Sequence, residues 1–194
     1  MAAPKGGFVP VGRYDGANSI GAPFRAYKAD TSTTLAVGDP VIDGSTGSTK
    51  GVRVVAQAVG SEGSPSAAII GVVVGIEPIS SDLSLQHLAA ASTGYVYVCP
   101  AAGHIFACYE DSVGSQLAVT DIARSVDIVV AGASSFNGKS GVLLDSSSAH
   151  NSAGYFKIVG LATESGNAVS TSTSAYGKWL VTVKTPQDPG TFTA

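Results

Sequence analysis

The chain has 194 residues, a formal net charge of -3 and 13% charged residues. That length suits one domain with a sizeable core, and a charged share near half the usual ~25% argues against a solvated, disordered chain. The acidic balance argues against a general nucleic-acid binder, and no run approaches the roughly 20 apolar residues of a membrane helix.

In chain order, the first 23 residues stand apart. Pro4, Pro10 and Pro23 alternate with Gly6, Gly7, Gly12, Gly16 and Gly21. Such a stretch cannot form a helix and is poor in strand pairing. It has no apolar leader region, so no secretory signal is expected. Residues 1–23 therefore read as an extended N-terminal arm and residues 24–194 as a β-rich body. Phe8, Val9, Tyr14 and Ile20 are the sizeable apolar groups of the arm, and Lys5 and Arg13 its cations. An arm that docks on a partner through these six residues is one reading. A frayed tail is the other.

The body reads as strands. Phe24 to Ala29, Val41 to Ile42, Gly51 to Val59, Ile69 to Ile76, Tyr95 to Cys99 and His104 to Tyr109 are rich in β-branched and aromatic residues, as are Val126 to Ala131, Gly141 to Asp145, Tyr155 to Leu161 and Lys178 to Lys184. Gly, Pro, Asn and Asp clusters punctuate them. Two segments compete for helix: Ser80 to Ala91, with a serine N-cap and Leu85 and Leu88 three apart, and a single turn within Leu117 to Arg124. Neither alters the class, which is all-β: an antiparallel sandwich or barrel-like body.

Charge is uneven. Residues 54–123 contain no Lys or Arg but hold Glu62, Glu77, Asp82, Glu110, Asp111 and Asp121. The first 53 residues carry six basic groups against four Asp. A docking arm would present positive charge while the middle of the chain stays acidic. Chance sampling in a charge-poor chain gives the same pattern.

Chemistry-bearing constellations are weak. Cys99, His104 and Cys108 match no zinc spacing. Tyr95 to Cys99 and His104 to Tyr109 read as a hairpin around Pro100 to Gly103, which would hold the two Cys several residues apart and leave two free thiols. No Gly-x-Ser-x-Gly elbow or phosphate loop occurs among the 25 Ser and 24 Gly. No catalytic, metal or cofactor residue is therefore nominated, and no enzyme is expected. Tyr95, Tyr97, Phe106 and Tyr109 put four aromatics on that hairpin. They read either as core with cross-strand pairing or as a subunit contact, where Tyr is enriched.

The lead Met1 to Val11, the strand and small-residue turn Phe24 to Val37 and the step Gly38-Asp39-Pro40-Val41 resemble tailed-bacteriophage virion proteins. The similarity extends to Ile69 to Gly75, to Tyr95 to Phe106 and to the closing strands Ser140 to Asp145, Phe156 to Leu161 and Trp179 to Lys184. The family is that of head decoration, or cement, proteins. The resemblance implies a β module on the outer capsid surface that clamps neighbouring major capsid protein subunits, often as a homotrimer at three-fold positions. It implies assembly in the host cytoplasm, no membrane or nucleic-acid partner and no catalytic residue. Where relatives carry an acidic pair before the hairpin Pro, this chain has Val98 and Cys99, which makes that turn more apolar. Another tail or head-completion component and a carbohydrate-binding adhesive sandwich are the alternatives.

Overall fold

The computed structural model describes residues 6–14, 16, 22–29, 31–44, 50–58, 68–79, 83–134, 137–149, 154–163 and 176–186. The described residues form thirteen strands: β1 (Val9–Arg13), β2 (Phe24–Lys28), β3 (Leu35–Ala36), β4 (Pro40–Asp43), β5 (Arg53–Gln57), β6 (Ile69–Ile76), β7 (His87–Leu88), β8 (Gly94–Pro100), β9 (His104–Tyr109), β10 (Ser125–Val129), β11 (Leu143–Asp145), β12 (Phe156–Leu161) and β13 (Lys178–Val183). The only helical residues among those described are two 3-10 turns, Val119–Asp121 and Ser146–Ser148. The all-β class holds.

The strands form two bodies. A closed barrel runs β2-β5-β4-β6-β8, and a six-stranded sheet runs β1-β9-β13-β12-β10-β11. Every pairing between these strands is antiparallel except β2 with β5. A short β3–β7 pair completes the set.

Strand β6 explains how the bodies join. Its sequence, Ile69 to Ile76, is almost continuously apolar, the pattern of a strand buried on both faces. Register shifts flank Ile70 and Val74, leaving each as an extra residue. These bulges let Ile70, Val73 and Ile76 fill the barrel with Ala26, Val41, Val55, Val96 and Val98. Ile69 and Val72 face outward into a second core with Phe8, Phe106, Phe156, Ile158, Trp179 and Val181 of the sheet. Lys28 closes one barrel end. It is 1% exposed, and its Nζ donates to the carbonyls of Ser92 (2.7 Å), Ala89 (3.3 Å) and Ala90 (3.5 Å).

Four remote segments meet at the seam. Gly6 N–H donates to Ser140 O (2.8 Å), Phe8 N–H to Gly38 O (2.9 Å), Ser140 N–H to Val37 O (2.9 Å) and Gly38 N–H to Val73 O (2.8 Å). The approach needs glycine. A Cβ on Gly38 would lie 2.4 Å from Gly6 O, and one on Gly7 2.5 Å from Gly38 O.

Two sequence expectations are corrected here. Residues 83–91 form no helix. Leu88 pairs instead with Leu35 across β3–β7 and is buried in the barrel core, a long-range contact that overrides weak local helix propensity. Ser80 to Asp82 lie outside the described residues. Within the arm, residues 8–13 are not separate from the body: Phe8 lies in the core and β1 pairs with β9. Pro10 is tolerated because β1 is an edge strand and carries a bulge between Pro10 and Gly12. The other competing segment does contain a single turn, at Val119–Asp121.

Candidate interaction surfaces

The six arm residues separate by environment. Phe8 is core: it is 1% exposed and stacks on Phe156 with ring centroids 4.4 Å apart. Its expected docking role is corrected on that ground, since a ring sealed between sheet and barrel has no surface to offer. Val9 and Tyr14 are exposed, at 46% and 57%, and so is Val11, at 46%. Arg13 is half-buried on the same strand. Lys5 and Ile20 lie outside the described residues.

The four aromatics do not share a hairpin. β8 has both edges occupied, by β2 and β6, and β9 has both occupied, by β1 and β13. A strand has two edges, so β8 and β9 cannot also pair with each other. Tyr95 and Tyr97 thus belong to the barrel. Phe106 is fully buried in the second core, which removes it from any subunit contact. Tyr109 lies on the other face of β9, with Lys178 Nζ 5.3 Å from its ring centroid.

On the barrel exterior, Arg25 is the hub. It donates to both oxygens of Glu77 at 2.7 and 2.8 Å, which holds the Glu77 carboxyl below its ordinary value. Its guanidinium also lies 3.5 Å from the Tyr95 ring centroid, and Tyr27 meets Tyr95 edge-on at 5.1 Å. Cation–π stacking and bidentate pairing both favour Arg here. Trp179 is fully buried in the second core.

Of the acidic residues in the middle of the chain, Glu62 and Asp82 lie outside the described residues, and Glu77 is half-buried on the barrel. Glu110, Asp111 and Asp121 are buried. Glu110 accepts from Leu117 N–H (2.7 Å) and Gly177 N–H (3.0 Å), and burial raises its pKa. Asp111 Oδ1 accepts from Ser146 Oγ (2.8 Å), Ser146 N–H (3.1 Å) and Val113 N–H (3.2 Å). These carboxylates fasten loops to the sheet, which satisfies buried backbone donors.

Cys99 and Cys108 are unbridged and buried. Their separation comes from membership in different sheets, not from hairpin register. Burial pushes the Cys99 thiol up to about 11 and raises Cys108 as well. Since the thiolate is the reactive form, native protein should consume almost no thiol reagent at pH 7.5 over minutes, and denatured protein should consume two equivalents without reductant. Rapid labelling of the folded protein would contradict the burial. Among the described residues, no three His, Cys, Asp or Glu side chains are placed to hold a metal ion.

Sequence reasoning missed the outward face of the six-stranded sheet. In β9, β13 and β12, Phe106, Cys108, Trp179, Val181, Phe156 and Ile158 point into the second core. Alternation and register place Val9, Gly12, Ile105, Ala107, Tyr109, Lys178, Leu180, Thr182, Lys157 and Gly160 on the opposite face. The available signal was Leu180, an apolar residue on the Lys178, Thr182 side of β13.

No family model, curated protein or solved structure matches this chain.

Proposed function

We propose that this chain is a bacteriophage head decoration protein, which binds the outer capsid surface and ties neighbouring major capsid protein subunits together without chemistry of its own. The support is the resemblance in the strand-and-turn pattern, together with one structural observation. The edge strand β1 is anchored to the core through Phe8 and presents Val9, Val11 and Tyr14 to solvent. Exposed apolar groups gathered on a rigid element favour a protein partner. A homotrimer at three-fold positions is the assembly that the resemblance implies, with Tyr95, Tyr97 and Tyr109 left as its aromatic candidates. An adhesive, carbohydrate-binding reading draws less support, because Arg25 covers a face of Tyr95 and Trp179 is buried.

The test compares particles with and without the protein. Decoration at a copy number near that of the major capsid protein, with a higher heat-disruption temperature, is the expected result, since ligands of the intact state stabilise it by mass action. An unchanged disruption temperature, or only a few copies per particle, would remove the cement role.

A further inference from the structure

We propose that Asp127 of β10 and Asp145 of β11 together hold one calcium ion at the far edge of the six-stranded sheet. The site is independent of the decoration reading.

Alternation and register bring the two carboxylates together. Val126 and Ile128 of β10 and Leu144 of β11 lie in the second core, so Asp127 and Asp145 turn to the opposite face of the sheet. The two are direct register partners, and such partners hold their Cβ atoms about 4.5–5.5 Å apart. Both are buried, at 1% and 7% exposed. No described Lys, Arg or His forms an ion pair with either. Lys157 of β12, diagonal to Asp127, is itself exposed.

Asp127 Oδ1 accepts from Tyr155 N–H (3.3 Å), and Asp145 Oδ1 accepts from Ser147 N–H (2.9 Å) and Oγ (2.6 Å). The second oxygen of Asp127 decides the matter. Oδ2 is sealed from solvent and has no hydrogen-bond partner. Like charges directly opposite each other destabilise a strand pair, and buried charges are kept where they are paired or bind a metal. A cation shared by the two carboxylates meets both needs, and no described side chain supplies one.

The donors on hand are oxygens alone. Ser148 Oγ accepts from Asp127 N–H (2.8 Å) and donates to Asp145 O (2.8 Å). That bridge ties the Ser146–Ser148 turn to both strands and fixes the bearing of the two carboxylates. An all-oxygen set favours a hard cation over zinc or copper. No third His, Cys, Asp or Glu joins the pair among the described residues. Calcium accepts such irregular sets, completed by water and main-chain oxygens, whereas magnesium demands a near-ideal octahedron. Two carboxylates suit a dissociation constant of about 0.1–1 mM.

The experiment uses the full chain, stripped with EDTA and dialysed free of chelator. Thermal unfolding is followed in about 10 mM CaCl2, the same MgCl2, or NaCl of matched ionic strength. Expected is a midpoint about 3–10 °C higher in calcium than in NaCl, with less than about half that shift in magnesium. Asp127→Asn/Asp145→Asn keeps the Oδ1 acceptors for Tyr155 and Ser147 but removes both charges, and its calcium shift should vanish. Glu77→Gln, on the barrel, should keep the wild-type shift. Calorimetric titration of the wild type should give one calcium per chain, and Asp145→Asn alone should lose at least about tenfold in affinity, a readout that stands even if the double variant does not fold. Absence of calcium binding by the wild type overturns the site. So does a wild-type shift in the folded double variant, or wild-type affinity in Asp145→Asn, since either places the cation elsewhere. A magnesium shift equal to that of calcium overturns the choice of cation.

Discussion

Replacing Gly38 with alanine is expected to destabilise the fold by about 3–5 kcal/mol, from backbone strain together with overpacking. Gly38 has φ of +97°, a conformation that L side chains rarely adopt. The added methyl would also meet Gly6 O at 2.4 Å and Gly7 Cα at 3.2 Å. These are backbone atoms, so relief requires moving the crossing itself. That crossing holds the carbonyl that accepts from Phe8 N–H and the amide that donates to Val73 O, and Phe8 is the side chain that seals β1 to Phe156. Against a typical total of about 5–15 kcal/mol, the variant should show a much lower urea midpoint or fail to fold. Gly132→Ala is the control, because nothing lies within 4 Å of its added Cβ. A Gly38→Ala midpoint equal to that of the control would show that the crossing is not tight in solution.

Stability is expected to fall as pH rises from about 4.5 to 7.5, with Asp39 as a principal cause. Asp39 is 1% exposed. Its Oδ2 accepts from Ala36 N–H at 2.8 Å, while Oδ1 has no hydrogen-bond partner of good geometry. Burial raises its pKa from 3.8 to about 6, an effect that Ser140, the Ala36 amide and Gln57 only moderate. A carboxyl with a raised folded pKa holds its proton more tightly in the native state. Its stabilising effect is therefore fully present below the unfolded value and is lost as pH rises through the folded one. The full effect is about 3 kcal/mol, of which about 2 kcal/mol is lost between pH 4.5 and 7.5. Asp39→Asn keeps an acceptor for Ala36 N–H and removes the charge. Urea midpoints measured across this pH range should decline for the wild type and decline much less for the variant. Glu110, also raised by burial, leaves a residual slope of the same sign. Parallel curves for the two proteins would place the pH dependence elsewhere.

Strand positions were legible because they are local. β6 and β9 occupy the residues expected of them, and β2, β4, β5, β8 and β10–β13 lie within two residues of their expected bounds at most ends. Alternation, β-branching and Gly or Pro punctuation act within a few residues, and each leaves its mark in the chain. β1, β3 and β7 were missed because their propensity is weak and their partners supply the order. Leu35 and Leu88 are too short a run to declare a strand, yet together they cap the barrel.

Of the candidate docking residues, the exposure of Val9 and Tyr14 agrees with the arm reading, whereas Phe8 does not. Nothing local to Phe8 distinguishes a ring that reaches for a partner from one that stacks on Phe156, far along the chain. The same limit separates Tyr109, on an open face, from Phe106, three residues earlier and sealed.

What the amino-acid order determined by itself was the class: many short strands, weak helix signal and a low-charge surface, all consequences of small, hydroxylic and β-branched side chains acting on their own backbone. What the tertiary structure alone decided was pairing. The turn at Pro100 to Gly103 has the composition of a hairpin loop, but the strands on either side go to different bodies because each finds two other partners. Edge occupancy is a property of the whole sheet, settled by burial summed over strands distant in sequence. For that reason the outward face around Leu180 comes into view only once the six strands are set side by side.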